Sequence, residues 1–470
     1  MSSYLFARKS TQLLLQEMGE ARLRPVLGSL QLTSLGVGAI IGAGIFIVIG
    51  LVAKDKAGAA TMLSFVLAGC ACAFAALCYA EFASMVPVAG SAYTYAYATL
   101  GELFAWIIGW DLLLEYGVGA ASVAHGWSHY FADFLAILNI HLPPALTDAP
   151  FDFNPATRKF VSTGAIIDLP ALLISSLLTG LLIIGIRESV TFNAIMVAVK
   201  LAVIALILAV GVFYIDPQNW QPFAPYGYSG ISFFGNTIAG QHGPGGEPRG
   251  VIGGAAIVFY AYIGFDSVST HAEEARNPSR DVPIGIIASL TLCTILYISV
   301  AAVLTGMVPY DKIDIDAPLA HAFSRVGLPW AHSLFSLGAL TGITSFLMVL
   351  LLSQSRIMLA MARDGLLPVG FFGAVHQQFR TPWKATVLTG IAVGLMGALM
   401  PLRVLAELTN IGTLLAFVIV CAAVLIMRRR HPEVARPFRC PLVPFVPVLG
   451  IAFCLVLMFS LPAENWLRLI

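Results

Sequence analysis

The chain has 470 residues, of which 58% are hydrophobic and only 11% are charged. Soluble domains carry about 25% charged residues, so this composition excludes a water-soluble globular protein and indicates a membrane protein. The formal net charge of +1 argues against a nucleic-acid partner, and the seven cysteines show neither C-x-x-C pairs nor zinc-binding spacing.

Apolar stretches close to the roughly 20 residues that a helix needs to cross a bilayer recur along the chain. They predict eleven membrane-spanning helices in contact with lipid. In chain order, the predicted spans are residues 33–53, 61–80, 99–124, 167–185, 192–215, 251–271, 284–307, 332–361, 384–401, 405–427 and 442–461. The last segment, Pro462–Ile470, is typical of the entrance to a twelfth span, so we expect a shortened chain.

Lysine and arginine residues are more frequent in the loops on one side of the predicted bundle. If the N-terminus is cytoplasmic, this is the cytoplasmic side, as the positive-inside rule requires. The densest basic group is Arg428, Arg429, Arg430, Arg436 and Arg439. The sequence therefore predicts a multi-pass protein of the cell membrane with a cytoplasmic N-terminus.

Three connecting segments differ from short polar turns. Two long loops, His125–Ile166 and Asp216–Gly250, fall on the external side, and the second contains GNTIAGQHGPGGEPRG. Glycine at this density opposes a packed helix, so we predict either a flexible loop or a substrate gate. Glu273–Pro283 combines proline with charges of both signs and is predicted to be a short solvated connector.

Glycines interrupt the first predicted span at Gly36, Gly38, Gly42 and Gly44. Each glycine costs about 1 kcal/mol of helix propensity, which favours a break within the membrane. Close helix packing is the alternative, because Gly38 and Gly42 have small-xxx-small spacing. The sixth span has Gly264 midway and Asp266 just after it. Two irregular spans five apart are typical of inverted repeats that each open with a discontinuous helix.

Broken helices expose main-chain groups that can bind both ends of a zwitterion. In the first span, a carboxylate fits amides that lose their helical acceptors and face a positive dipole end. These amides belong to Gly42, Ala43 and Gly44. In the sixth span, carbonyls that can accept from an ammonium group are freed at Tyr260, Ala261 and Ile263. The pattern predicts backbone recognition of an amino acid.

Several long motifs resemble those of one superfamily of membrane proteins. They are GVGAIIGAGIF in the first span, AEFASMVPVAGSAYTYAY after the second, GWDLLLEY in the third, FYAYIGFDSVSTHAEEARNPSRDVPIGI from the sixth and SQSRIMLAMARDGLLP after the eighth. Nearly end to end, the chain resembles the amino acid–polyamine–organocation superfamily. The likeness is strongest to its cationic amino acid transporter branch and the bacterial relatives of that branch.

This resemblance implies an all-α polytopic membrane protein with the LeuT-like fold, built from two inverted five-helix repeats. The first and sixth helices of that fold are discontinuous. The repeats would cover residues 32–215 and 251–430, with the glycine-rich external loop 216–250 between them. Residues 1–31 would form a cytoplasmic segment, and residues 431–470 a peripheral helix and the start of a further span.

The resemblance also implies a substrate site between the first and sixth spans. Its contacts would be Ile40, Ala43, Gly44, Tyr260, Ala261 and Ile263. Ala43 stands where relatives can carry a hydroxyl residue, which argues against a proton relay through that side chain. Leu350 and its neighbours in the eighth span would set the room available to a long substrate side chain.

Lys200 lies near the middle of the fifth predicted span. Burial favours an uncharged amine, so proton exchange is the functional interpretation and a permanently charged structural lysine is the alternative. The resemblance implies that this lysine replaces the sodium ion of sodium-coupled relatives. It would tie the first span to the eighth, where Thr344 and Ser345 are candidate partners.

Asp111 and Glu115 are four residues apart and share a face of the third predicted span. The resemblance implies a third-span glutamate beside the site, so Glu115 is the predicted partner of Lys200 in proton coupling. A structural ion pair, or a contact with a cationic substrate side chain, is the alternative. His125 and His129 have a spacing that can bind metal, but no third ligand accompanies them, so we predict no metal and no cofactor.

The combined prediction is a secondary active transporter: a proton-coupled symporter or permease for small neutral or cationic L-amino acids. An amino acid exchanger and a non-transporting sensor of the same fold are the alternatives. A channel fits paired broken helices less well, and the sequence lacks H-E-x-x-H and G-x-S-x-G motifs, so no enzyme is predicted. Small residues at the site favour alanine-like substrates, whereas the branch favours arginine, lysine or ornithine.

Overall fold

The computed structural model describes residues 23, 25–42, 44–86, 88, 90–137, 139–154, 159–234, 236–243, 248–315, 318–328, 330–400, 410–460 and 466. Helices dominate, because a backbone in hydrocarbon must satisfy its N–H and C=O groups within its own segment. The prediction for Ala43 and the predicted twelfth span, apart from Trp466, lie outside the described residues.

The described residues contain fifteen α-helices. They are α1 (Ser29–Ile40), α2 (Ile49–Val52), α3 (Thr61–Met85), α4 (Ala92–Thr99), α5 (Glu102–Ile137), α6 (Leu169–Ile184), α7 (Ile186–Gly211), α8 (Val251–Val258), α9 (Pro278–Met307), α10 (Pro318–Arg325), α11 (Ala331–Arg363), α12 (Val369–Phe372), α13 (Trp383–Leu399), α14 (Asn410–Arg430) and α15 (Phe445–Ser460). Seven helical stretches have the length and composition to cross a membrane, and four apolar helices are shorter. The all-α polytopic architecture is confirmed.

Two helices extend well beyond the windows predicted for them. α5 continues to Ile137, so His125 and His129 lie on this helix, and the predicted loop start at His125 is wrong. α9 begins at Pro278, whose missing N–H costs nothing in the first turn of a helix. Hydropathy underestimates both helices because their ends carry polar residues.

The first broken segment comprises residues 29–60. After α1 ends at Ile40, Ile41 is extended (φ −79°, ψ 94°), and a π-helix begins at Gly44 and ends at Val48. α2, a second π-helix (Ala53–Ala57) and a 3-10 turn (Gly58–Ala60) complete the segment. The interruption predicted in the first span is confirmed.

The second broken segment is Val251–Glu274. α8 leads into a 3-10 turn (Phe259–Tyr262), and a longer 3-10 helix covers Phe265–Glu274. Between them, Gly264 adopts a φ of 116°, in the region that glycine tolerates and side chains rarely do. The predicted discontinuity in the sixth span is also confirmed.

The glycines of the first span serve both purposes that the sequence left open. A Cβ on Gly38 would lie 2.6 Å from Asn193 Oδ1 of α7, so this glycine permits close packing of α1. A Cβ on Gly42 would lie 2.8 Å from Phe346 Cδ1 of α11. Gly38 is thus a packing position within the helix, whereas Gly42 combines close packing with a place at the break.

The side of the bundle on which residues 25–28 lie, here called the N-terminal side, is closed by buried ion pairs. The Arg356 guanidinium of α11 donates to both carboxylate oxygens of Glu274, at 2.7 and 3.2 Å. Arg363 donates to Glu273 at 2.7 and 2.8 Å. The Val26 and Leu27 amides donate to the Glu274 carbonyl at 2.9 Å. Since Glu273 and Glu274 are buried, the prediction of a solvated connector is wrong there.

The opposite side of the bundle carries short antiparallel strand pairs. The strands are β1 (Phe151–Asn154), β2 (Lys159–Ser162), β3 (Ile231–Phe233), β4 (Asn236–Ala239), β5 (Gln241–His242) and β6 (Pro248–Arg249), paired β1–β2, β3–β4 and β5–β6. Four of these short strands lie in the glycine-rich loop. Its Phe234 amide donates to Phe459 of α15, and its Gly250 amide donates to Lys56. These bonds anchor the loop to α15 and to the first broken segment.

Candidate functional site

The two breaks lie directly against each other inside the bundle. A Cβ added to Gly44 would overlap the Cβ of Ala261, and one added to Gly264 would lie 2.5 Å from the Ala39 carbonyl oxygen. Glycine at both positions therefore permits an approach that any side chain would prevent. Main-chain atoms and the small methyl group of Ala261 form this contact between the two broken segments.

Tyr297 of α9 joins the two breaks through its hydroxyl group. The hydroxyl oxygen lies 2.8 Å from the Ile40 carbonyl oxygen and 2.9 Å from the Ala261 carbonyl oxygen. The side chain is fully buried. Sequence reasoning missed Tyr297, since a tyrosine in an apolar span is more often an ordinary core residue. The available signal was that a buried tyrosine hydroxyl usually needs a hydrogen-bond partner, which an apolar span does not supply through its side chains.

The described residues predicted to contact substrate all lie at or beside the two breaks. They are Ile40, Gly42, Gly44, Tyr260, Ala261 and Ile263. The π-helix that starts at Gly44 begins just after the gap that follows α1, and the first N–H groups of a helix have no acceptor within their own helix.

The predicted carbonyl acceptors of the second broken segment need a correction. The Tyr260 carbonyl accepts from the Ile263 amide at 3.3 Å, and the Ala261 carbonyl accepts from Tyr297. Both carbonyls therefore have partners within the protein in this conformation. The 3-10 turn at this point continues hydrogen bonding that a fully unwound chain would lose.

The side chain of Lys200 on α7 lies against the C-terminal end of α1. Its ammonium nitrogen lies 3.0, 3.2 and 2.8 Å from three main-chain carbonyl oxygens and 2.8 Å from Ser345 Oγ of α11. The three carbonyls belong to Val37, Gly38 and Ile41. A cation is favoured here because carbonyls at a helix C-terminus carry partial negative charge. The ammonium thus links the broken end of α1 to α11.

Ser345 and Thr344 were both candidate partners of Lys200, and the structure separates them. Ser345 contacts the ammonium, but the Thr344 hydroxyl accepts from Trp127 Nε1 at 2.9 Å and donates to the Leu340 carbonyl at 2.7 Å. Thr344 is not among the described hydrogen-bond partners of Lys200. Leu350, predicted to limit substrate size, is buried further along α11.

Glu115 is buried, but the structure does not bring it to Lys200. The described hydrogen bonds of Lys200 go to the end of α1 and to Ser345, so the predicted direct pairing is wrong for this conformation. Among the described residues, neither carboxylate oxygen of Glu115 has a hydrogen-bond partner. Asp266 and Asp111 are its charged neighbours, and Thr413 of α14 lies beside it.

Asp266 brings a second buried acid to this region. One of its carboxylate oxygens accepts from the Tyr116 hydroxyl at 2.5 Å, and the other has no described hydrogen-bond partner. Glu115, Asp266 and Tyr116, here called the acid cluster, connect α5 to the second broken segment just beyond Gly264. Sequence reasoning noted Asp266 as an unusual acid but did not place it beside Glu115.

Comparison with known proteins gives concordant matches over nearly the whole chain. The family model described as amino acid permease matches residues 27–465. The chain is 45% identical over 472 residues to the branched-chain amino acid permease BcaP of Bacillus subtilis (strain 168), covering 100% of this chain and 95% of that protein.

Two further relatives carry different substrates in their names. The methylthioribose transporter of Bacillus subtilis (strain 168) is 44% identical over 468 residues, covering 100% of this chain and 95% of that protein. Cationic amino acid transporter 4, vacuolar, of Arabidopsis thaliana is 37% identical over 421 residues, covering 89% of this chain and 66% of its own length. With its two broken helices and the LeuT-like fold that this membership implies, the chain belongs to the amino acid permease family of the amino acid–polyamine–organocation superfamily.

Proposed function

We propose that this permease carries a small L-amino acid across the cell membrane together with a proton. The observation that carries the proposal is the Lys200 ammonium held by four oxygen atoms at the break in the first helix. A titratable cation at this position can couple protonation to the shape of the substrate site. A metal ion at this position could also be held by these oxygen atoms, but its binding would not couple the site to pH.

The substrate would bind by its main-chain groups at the two breaks. Its carboxylate would accept from the amides at the start of the π-helix at Gly44, and its ammonium group would donate to the carbonyls of Ile40 and Ala261. Tyr297 now donates to those carbonyls, so it would release one of them when substrate arrives. The contact between Gly44 and Ala261 leaves little space, which favours a small substrate.

Proton exchange at Lys200 would control the first broken segment. While charged, the ammonium fixes the end of α1 to α11 through Ser345. Loss of its proton would leave two N–H donors where the ammonium has three, so at least one buried oxygen atom would lose its hydrogen bond to Lys200, at a cost of about 1–3 kcal/mol. The end of α1 would then be free to move relative to α11, which is the movement that alternating access requires.

The acid cluster provides a second place for the coupling proton. An ionised carboxylate buried without a cation is costly, so a proton or a cation must neutralise Glu115 or Asp266. Asp266 lies on the second broken segment and Glu115 on α5, so a proton exchanged here changes the interaction between these two elements. A cationic substrate side chain reaching this region is the alternative neutralising charge.

The relatives favour two classes of substrate in addition to small neutral amino acids. Nearly equal identity to a branched-chain amino acid permease and to a methylthioribose transporter makes methylthioribose a specific second candidate. This sugar has neither a carboxylate nor an ammonium group, so it could not bind to the main-chain amides and carbonyls in the way proposed for an amino acid. Similarity to cationic amino acid transporters favours lysine and arginine as further test substrates.

Uptake into proteoliposomes tests the proposal directly. Purified protein should accumulate labelled alanine or valine when an inward proton gradient is applied, and it should not respond to a sodium gradient. Arginine and methylthioribose are tested in parallel. Accumulation driven by sodium, or uptake of methylthioribose alone, would contradict the proposed coupling or the proposed recognition.

Two control measurements separate the remaining functions of this fold. Exchange that requires amino acid inside the vesicle and ignores the proton gradient would identify an exchanger. Saturable binding without movement of label would identify a sensor.

We further propose that the N-terminal side is cytoplasmic, because Arg276, Arg363, Arg428 and Arg436 lie on that side. Accessibility of single cysteines to an impermeant reagent in whole cells tests this orientation.

A further inference from the structure

A second polar cluster lies near the C-terminal end of α5, on the side of the bundle opposite the N-terminal side. His125 and His129 stand one helical turn apart, with ring centroids 4.8 Å from each other. The loop after α5 brings Asp148 to them. Asp148 Oδ1 lies 3.6 Å from His125 Nε2 and 3.9 Å from His129 Nε2. The prediction that no third metal ligand accompanies these two histidines is therefore wrong.

We propose that His125, His129 and Asp148 bind one divalent transition-metal ion of the zinc class. One ligand atom from each residue lies within 4.8 Å of the others. Tetrahedral zinc with bonds of about 2.0–2.2 Å holds its ligand atoms about 3.3 Å apart, so small side-chain rotations close the site. Two imidazoles favour zinc and related ions over magnesium and calcium, which prefer oxygen ligands.

Asp168 supports this assignment from behind His125. Its carboxylate oxygen lies 3.0 Å from His125 Nδ1, and the Gly397 carbonyl oxygen lies 3.2 Å from the same nitrogen. A proton on Nδ1 would donate to the Gly397 carbonyl beside the Asp168 carboxylate, which leaves the Nε2 lone pair for a metal ion. Carboxylate–histidine–metal arrangements of this kind orient the ligand and raise its basicity. Asp168 is fully buried, which fixes this geometry.

An ion could reach the cluster directly from water. The side chains of His129 and Asp148 are 52% and 46% exposed. They line an open cavity of about 350 Å³ together with Asp133, Thr147 and Thr163. Water in this cavity can supply the fourth ligand that three protein ligands leave open.

The bound ion would fasten the loop after α5 to the helical bundle. Asp148 belongs to the loop and the two histidines to α5. Asp168 caps α6 by accepting from the Ala171 amide at 3.1 Å, and its own amide donates to the Ala398 carbonyl of α13 at 3.1 Å. One ion would thus join the loop to a point where three helices meet. The expected consequence is a more stable protein.

Zinc titration of the purified full chain tests the proposal. The protein carries no polyhistidine tag and is first treated with a chelator, and zinc chloride is followed by calorimetry. We expect one zinc ion per chain and a zinc-dependent rise in the melting temperature, with no response to magnesium or calcium. His129→Ala and Asp148→Asn should abolish both effects. His141→Ala, an exposed histidine of the same loop, should retain them.

Asp168→Asn provides the sharper test of geometry. Asparagine still caps a helix, so α6 should remain intact while the carboxylate behind His125 is lost. Zinc affinity should fall about 10–100-fold, as for other changes to groups that orient a metal ligand. All variants should transport like the unmodified chain in the absence of zinc, which verifies folding. Absence of saturable zinc binding, or unchanged binding in His129→Ala and Asp148→Asn, would overturn the proposal.

Discussion

Two buried ionisable groups near the breaks are treated in opposite ways by the fold. Lys200 has four oxygen atoms within 3.2 Å, whereas Glu115 has no described hydrogen-bond partner for either carboxylate oxygen. Both side chains are almost completely excluded from solvent. Burial alone therefore does not indicate what a membrane-embedded charge is for.

The difference lies in what each group does to its surroundings. The Lys200 ammonium completes the hydrogen bonding of a helix end, so its loss disrupts structure. Among the described residues, Glu115 has no hydrogen-bond partner for either carboxylate oxygen, so its substitution should disturb the fold less. We expect substitutions at Lys200 to affect stability and transport together, and substitutions at Glu115 to affect coupling alone.

The largest effect is expected for Lys200→Ala. Uptake should fall to background, because the ammonium that links α1 to α11 is lost and the Ile41 carbonyl keeps no other described donor, at a cost of about 1–3 kcal/mol. The melting temperature should fall as well. Lys312→Ala, at an exposed lysine in the loop before α10, is the matched control and should behave like the unmodified chain. Normal uptake by Lys200→Ala would remove the distinction between the two groups.

Glu115→Gln should separate coupling from binding. Glutamine keeps the size of the side chain but cannot release a proton, so accumulation driven by a proton gradient should fall about 100-fold, the lower end expected for losing a positioned proton-transfer group. Counterflow of labelled substrate and the melting temperature should remain near those of the unmodified chain. Asp111→Asn, one turn away and partly buried, should have a smaller effect. A larger effect for Asp111→Asn than for Glu115→Gln would mean that Asp111, not Glu115, is the coupling acid.

Tyr297→Phe tests the link between the two breaks. Loss of the hydroxyl removes one hydrogen bond, worth about 1 kcal/mol, and should change substrate affinity about fivefold. Substrate binding by calorimetry measures the change. Tyr262→Phe is the control, because the hydroxyl of this neighbouring tyrosine donates to Phe65 at 2.9 Å, away from Ile40. Equal effects of both substitutions would mean that a general loss of packing, not the link, is being measured.

The smallest effect should distinguish two adjacent residues of α11. Ser345→Ala removes one of the Lys200 contacts and should lower uptake about two- to fivefold, in line with a single hydrogen bond of about 0.5–1 kcal/mol. Thr344→Ala loses the bond from Trp127 and the bond to the Leu340 carbonyl, neither of which involves Lys200, and should leave the pH dependence of uptake unchanged. A shifted pH profile in Thr344→Ala would place Lys200 in a different environment from the one described.

The sequence predicted the breaks because glycine leaves a local signal. Gly44 and Gly264 stand where the main chains must approach closely, and Gly264 also adopts a positive φ. No comparable signal separates Ser345 from Thr344, since adjacent residues differ only by a rotation about the helix axis. Glu115 is paired with Lys200 in the sequence-based prediction because the family resemblance implies a third-span glutamate beside the site, and a resemblance does not fix which buried group that side chain meets.

Long-range polar contacts were beyond sequence reasoning for a different cause. Glu274 and Arg356 are 82 positions apart in the chain. The segment around each of them, taken alone, has a composition typical of a solvated helix end. Asp148 reaches His125 through a loop whose path no periodicity predicts. Charge patterns indicate where such groups occur, but only packing decides whether they are hydrated or paired.

The hydroxyl of Tyr297 has a single hydrogen, although two carbonyl oxygens lie within hydrogen-bond distance of it. At any instant, either the Ile40 or the Ala261 carbonyl is therefore without this donor. If an amino acid binds here as proposed, its ammonium group brings three hydrogens, so both carbonyls can accept at the same time.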